Sequence, residues 1–220
     1  MSIAAFFDLD GTILSVNSGR LWVASERRLG SIGLRKHVKA LFYLAAYRLN
    51  RIDMVSVMRE ALGTYRGLSE AGVREKTRRW YLDEVAPKVA PGAYDALAMH
   101  RAQGHRLVLL TSSSTYESEV AVEHLGLDDF LCAPYEVRDG LFTGEPILPL
   151  SYGAGKVHYA ETYARRHAID LDASYFYTDS GSDLPMLLRV GNPRIVNPDL
   201  SLRREARRRR WPILVWGRPA

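Results

Sequence analysis

A single cysteine, Cys132, stands among 220 residues, so no internal disulfide framework can form and a reducing compartment is expected. No apolar run is long enough to span a bilayer; the best candidate, residues 40–47 (ALFYLAAY), is short and has basic flanks. The first residues lack the charged n-region and long apolar h-region of a secretory signal, which makes a cytoplasmic location the expectation. The six histidines are scattered without ligand spacing, which argues against zinc. No serine sits in a G-x-S-x-G setting, which argues against a triad hydrolase. Internal repeats are absent, and the only biased segment is an arginine run near the C-terminus.

What is present is ordinary for a globular chain: 47% hydrophobic and 25% charged residues, with a net charge of +5. The length suits one sizeable core, or a core with a smaller insertion. The charge excess is concentrated in RREARRRRW. A solvated helix face is the expectation there, with attraction for anionic lipid or nucleic acid as the alternative; no nucleic-acid partner is expected.

The stretch IAAFFDL, residues 3–9, has the unbroken apolar character of a strand buried on both faces. From residue 18 to 89 strand signals give way to helix-period apolar positions, in SGRLWVASERRLG, GLRKHVKALFYLAAYRLN, DMVSVMREALGTY and SEAGVREKTRRWYLDEVA. Ser18, Asp53 and Ser69 are the expected N-caps, Gly30 and Gly67 the stops, and Pro87 and Pro91–Gly92 punctuate the end. Helices and strands then alternate. Strands are predicted in HRLVLLTSS, ASYFYTDS, PRIVNP and WPILVW, and a hairpin in YEVRDGLFTGEPI turning at Asp139–Gly140. The pattern predicts an α/β fold, a doubly wound parallel sheet built from 1–17 and 90–220, with an all-helical cap inserted at 18–89.

Ligands of open parallel sheets bind at the carboxyl ends of the strands. The first predicted strand ends in DLDGT, which carries Asp8 and Asp10. A turn needs one Asp and one Gly; it does not need a second Asp at the end of a buried strand, where unpaired charge is costly. A later strand ends in Thr111, Ser112 and Ser113, another in Thr178 and Asp179, with Asp183 one turn on, and Lys156 follows a glycine-rich approach. Taken singly, D-G is a turn, TSSST a helix cap and Lys156 a surface lysine. Taken together, four carboxylates would repel unless a hard cation such as Mg²⁺ sat among them, and the lysine and hydroxyls suit a phosphoryl group. The set points to metal-assisted phosphoryl transfer. GAGK is not a P-loop, because Leu150 holds the leading glycine position and Val157 follows the lysine.

DLDGT, the strand-terminal LLTSS, Lys156 and YTDSGSDLPML resemble, in order, the four motifs of the haloacid dehalogenase-like (HAD) phosphatase superfamily. The helical insertion matches the cap position of its phosphoserine-phosphatase-like branch, subfamily IB, and NPRIVNP…REARRRRWPIL is similar to the tail of bacterial members. The resemblance spans nearly the whole chain. It implies a HAD-like Rossmannoid core and a Mg²⁺-dependent phosphatase acting on a small phosphorylated metabolite. Asp8 would be the nucleophile and Asp10 the general acid and base. Gly11, Thr111, Ser112, Ser113, Lys156 and Ser182 would bind phosphate or substrate. Mg²⁺ would be held by Asp8, the main-chain carbonyl of Asp10, Asp179 and Asp183, the last directly or through water.

The cap departs from the branch. Its substrate-gripping Glu falls on Asn17, and its Arg falls on Ala61, with Arg59 and Arg66 nearby. Phosphoserine is therefore not the expected substrate. Three alternatives follow: transfer to an acceptor other than water, a lipid-facing cap that admits phospholipid-like esters, and a binding module with a vestigial site. The basic-flanked apolar helix of the cap invites the membrane reading, and packing within the cap is the favoured one.

Overall fold

The computed structural model describes residues 1–30, 54–217 and 219. The expected basic-flanked helix at 33–50 and the Asp53 cap lie outside the described residues. The core is a six-stranded sheet in the order β3-β2-β1-β6-β7-β8. Its strands are β1 (Ala4–Phe7), β2 (Arg106–Ser114), β3 (Asp129–Ala133), β6 (Tyr175–Thr178), β7 (Asn192–Val196) and the two-residue β8 (Ile213–Leu214). Every pairing in it is parallel. β4 (Tyr135–Arg138) and β5 (Leu141–Pro146) form a separate antiparallel hairpin. Its turn residues Asp139 and Gly140 have φ of 50° and 74°, the left-handed pair expected of D-G.

β1 lies at the centre because it has two apolar faces. Ala5 and Phe7 pack into one core layer, Ala4 and Phe6 into the other, and all four are fully buried. The first layer takes α4 (Pro91–Ala102) and α5 (Thr115–Leu125). The second takes α6 (Ala154–His167), α7 (Leu184–Arg189) and α8 (Leu200–Arg209). Burying each Phe side chain of β1 contributes roughly 2 kcal/mol. The strand β3 was not among the predicted strands; it is a short edge strand, and its five residues carry too little periodicity to announce it.

Between β1 and α4 the described chain is helical: α1 (Ser18–Arg28), α2 (Met54–Gly63) and α3 (Glu70–Trp80), then a π turn at Tyr81–Val85 and a 3₁₀ turn at Ala86–Lys88. The chain leaves and returns to the core side by side, since Leu14 bridges Val89 and the Ala90 amide donates to the Ile13 carbonyl. α3 faces α5 through Arg74 on Glu119 and Arg78 on Glu123. Trp22 stands edge-on to Trp80 at 4.9 Å, and Trp80 and Trp216 are buried, as packing residues. The expected N-cap of α1 shifts by one residue: Asn17 caps it, and Ser18 is the first helical residue.

On α8, Leu202 and Ala206 are buried. Arg208 and Arg209 pair with Glu205 on its outer side, which is the solvated face expected of the arginine run. Among the described residues no helix is long and apolar enough to cross a membrane.

Candidate active site

Parallel pairing sets the carboxyl ends of β1, β2 and β6 side by side. Phe7 is level with Leu109 on one flank and Tyr177 on the other. The residues that follow these three strands therefore share one rim. Asp8 leaves β1 with its amide donating to the Tyr177 carbonyl at 2.9 Å. The Lys156 ammonium, 1% exposed, donates to Asp8 Oδ1 at 2.9 Å and to Asp183 Oδ2 at 2.8 Å. Thr178 donates to the same Asp183 oxygen at 2.7 Å. Residues from three separate stretches of chain thus close on one buried cation.

Burial pushes the Asp8 carboxyl up to about 7; Lys156 pulls it back, while Asp183 and Asp10 push it further up. One ammonium does not offset the carboxylates around it. Gly11 explains how a further acid comes close. It has φ of +74°, and a Cβ there would lie 2.3 Å from Asp179 Oδ2. The Asp179 carboxylate occupies the space that glycine leaves open against the first loop.

Asp10 is held from the start of α1. Its Oδ1 accepts the Ser18 amide at 2.6 Å and its Oδ2 accepts the Asn17 side-chain amide at 3.2 Å. Asn17 also caps the helix by accepting the Arg20 amide at 3.0 Å. The residue at the branch's substrate-gripping position is therefore committed to orienting Asp10.

On the β2 side, the pairing with β3 shifts between Leu110 and Ser114, so Thr111, Ser112 and Ser113 bulge out of the regular ladder. Thr111 Oγ1 accepts the Ser113 amide at 3.1 Å, and Ser112 donates to the Ser151 carbonyl at 2.7 Å. Ser182 pairs with Ser180 at 2.8 Å between hydroxyls, in the turn that leads to Asp183. The glycine-rich approach to Lys156 serves packing: a Cβ at Gly155 would lie 1.8 Å from the Leu150 carbonyl oxygen. Among the described residues no three carboxylate, imidazole or thiolate groups converge closely enough to hold a metal ion. Asp10 would offer a backbone oxygen to such an ion, and Asp183 Oδ2 is engaged by Lys156 and Thr178.

One residue of this rim was not singled out from the sequence. Glu117, on the first turn of α5, is 7% exposed, and its Oε1 has no hydrogen-bond partner among the described residues. Burial, then the nearby Asp10, push its carboxyl up to about 8, against the hydroxyls of Ser18 and Ser113.

The family model for haloacid dehalogenase-like hydrolases matches residues 5–188. The chain belongs to this family. It is 33% identical to a probable phosphatase of Mycobacterium tuberculosis, over 98% of this chain and 76% of the relative. A phosphoserine phosphatase of the same organism is 30% identical, over 97% of this chain and 70% of its own length. Among solved structures, a Bordetella pertussis protein of unknown function superposes with a TM-score of 0.88 at 25% identity, over 97% of this chain and 98% of that one. The protein is thus a HAD-family phosphatase, a phosphoric monoester hydrolase similar to phosphoserine phosphatases, with the α/β fold expected from its sequence.

Proposed function

We propose that the protein hydrolyses a small phosphomonoester through a phospho-aspartate on Asp8, with Mg²⁺ as cofactor. The observation that supports this most is the buried Lys156 ammonium shared by Asp8 and Asp183. A lysine buried only to satisfy two acids is a poor stabiliser, because desolvating three charges offsets their attraction. A lysine that also neutralises an incoming phosphoryl group has a reason to be there.

In the first half-reaction an Asp8 oxygen bonds to phosphorus, the bond to the leaving oxygen breaks, and Asp10 gives that oxygen its proton. In the second, a water oxygen bonds to phosphorus, its proton passes to Asp10, and the Asp8–phosphorus bond breaks to restore the carboxylate. The two hydrogen bonds from Asn17 and Ser18 fix Asp10 for both proton transfers. Lys156 offsets charge on Asp8 and on the phosphoryl oxygens. Thr111 and the amides beyond it, where β2 gives way to α5, suit the remaining oxygens.

The donor set fits a hard divalent cation. Acids outnumber the lysine, all the offered atoms are oxygens, and Gly11 leaves room for the Asp179 carboxylate. Asp8, Asp179 and the Asp10 carbonyl would hold Mg²⁺, with Asp183 acting through water. When bound, the ion would withdraw charge from the phosphoryl oxygens. The test is hydrolysis of p-nitrophenyl phosphate with and without Mg²⁺. Turnover that a chelator abolishes and Mg²⁺ restores is expected; turnover unchanged by the chelator would overturn the metal assignment.

A further inference from the structure

We propose that the outer face of α8 docks the protein on anionic lipid headgroups at a membrane surface, through Arg203, Arg204 and Arg207, with Leu200 entering the interface. RREARRRR places six arginines in eight residues, yet they divide by face. Leu202 and Ala206 are buried in the second core layer. Glu205 takes Arg208 and Arg209 as its partners. Leu200, Arg203, Arg204 and Arg207 follow i, i+3, i+4, i+7 spacing, so they form one stripe away from the core, about 10 Å long. All four are exposed, Leu200 by 75%. Among the described residues the side chains of these three arginines form no ion pair.

The stripe works against the helix that carries it. Arg203 and Arg207 are four residues apart, Arg204 and Arg207 three, and like charges at those spacings repel. The helix dipole favours cations in the last turn, which holds Arg207 but neither Arg203 nor Arg204. An anionic partner removes the repulsion, and guanidinium forks suit the phosphate oxygens of lipid headgroups. Lipid fits this face better than nucleic acid. The nearby aromatic ring, Trp211, packs on the second core layer with Arg209 over it at 5.2 Å, so it is not a platform on which bases stack. The stripe instead begins at an exposed leucine, and Val215, 83% exposed, follows β8 at the same end of the sheet. A phosphate backbone offers nothing to such side chains; the acyl boundary beneath a headgroup layer does.

Docking on this face leaves the active site open. The Asp199 amide donates to the Asp179 carbonyl at 3.2 Å, so α8 starts at the rim that carries the site. β7 and β8 are parallel, so the helix that joins them runs back away from that rim. In a molecule lying on α8 the rim faces along the membrane surface, where small soluble esters still reach it. The face is an anchor and leaves the choice of substrate to the site.

The experiment is sedimentation of the full chain with vesicles of phosphatidylcholine, alone or mixed with phosphatidylglycerol, at low and at high salt. Binding to the anionic vesicles alone, reversed by high salt, is expected. Arg203→Gln, Arg204→Gln and Arg207→Gln together are expected to lower the partition coefficient about a hundredfold, at roughly fivefold per arginine. Arg27→Gln, Arg79→Gln and Arg138→Gln remove the same charge from exposed positions elsewhere and are expected to cost far less. Both triple variants should hydrolyse p-nitrophenyl phosphate as the wild type does, with or without vesicles, which checks their folding. If the α8 variant does not fold, Arg204→Gln alone decides, with an expected loss of about fivefold. No binding to anionic vesicles, or an equal loss in both triple variants, overturns the inference. Tighter binding to nucleic acid than to vesicles at equal phosphate overturns it too, as does hydrolysis blocked by vesicles, which would set the membrane over the site. A chain that binds vesicles as expected but hydrolyses no ester upholds the inference and overturns the phosphatase reading alone.

Discussion

The Lys156 ammonium lies 2.9 Å from Asp8 Oδ1, although the two residues are 148 positions apart in the chain. The contact depends on the parallel order of β1 and β6 at the centre of the sheet. It also depends on α6 packing against the opposite layer from α5. Asp183 completes it from the turn after β6.

Removing the ammonium leaves Asp8 and Asp183 buried together. Lys156→Met is expected to destabilise the metal-free protein by about 3–5 kcal/mol at neutral pH. The loss should shrink as the pH falls, because Asp8, already pushed up to about 7 by burial, then takes a proton. Denaturant unfolding of both proteins across pH 5 to 8 checks this.

On the proposed mechanism Asp10 serves both half-reactions, so Asp10→Asn should slow phosphorylation of Asp8 and also its hydrolysis. A loss of roughly 10²–10⁴ in kcat is the expected scale for a positioned acid–base group. Rapid-quench kinetics separate the two steps. Since Asn17 and Ser18 hold Asp10 by hydrogen bonds, Asn17→Ala should lower kcat in the same direction by a smaller factor.

Much of this site is legible in the residues themselves. β1 declares itself by an unbroken apolar run, and D-x-D-G-T marks its exit because a turn does not need the second acid. Lys156, Asp179 and Asp183 follow in motif order. Glu117 is harder to see. The stretch Tyr116–Glu119 is mostly polar, and only the helical spacing to the buried Val120 and Ala121, three and four residues on, places Glu117 on the inward stripe. Asp10 and Ser18, which act on its charge, come from a distant part of the chain, so no local pattern shows them. The role of Asn17 escapes for the same reason: it depends on a contact with Asp10 that spacing alone does not supply.

Glu117 also sets a pH dependence. Its folded carboxyl is pushed up to about 8 from an ordinary 4.5. Between those values the native state holds a proton that the unfolded chain has released, so stability falls as the pH rises through this window. Glu117→Gln should therefore be the more stable protein near pH 8, by an amount on the order of a few kcal/mol, and lose that advantage towards pH 4.5. Thermal unfolding in the absence of ligand measures it.

His100 acts with the opposite sign. Burial, then His105 and Arg194, push it down to about 4, and its Nε2 shares a 2.8 Å hydrogen bond with the Tyr177 hydroxyl. Its neutral form contributes stability that is present above about pH 6.5 and is lost as the pH falls towards 4. Replacing it with Asn should flatten the acid limb of the stability curve, as followed by denaturation midpoints.

The most direct test of the account is chemical trapping of the phospho-enzyme. The protein is mixed with ³²P-labelled p-nitrophenyl phosphate and Mg²⁺, quenched in acid within one turnover, and mapped by peptide mass spectrometry. The expected result is a single labelled site at Asp8, lost in Asp8→Asn. Turnover without any labelled peptide, or with label on another residue, would contradict the assignment of Asp8 as the nucleophile.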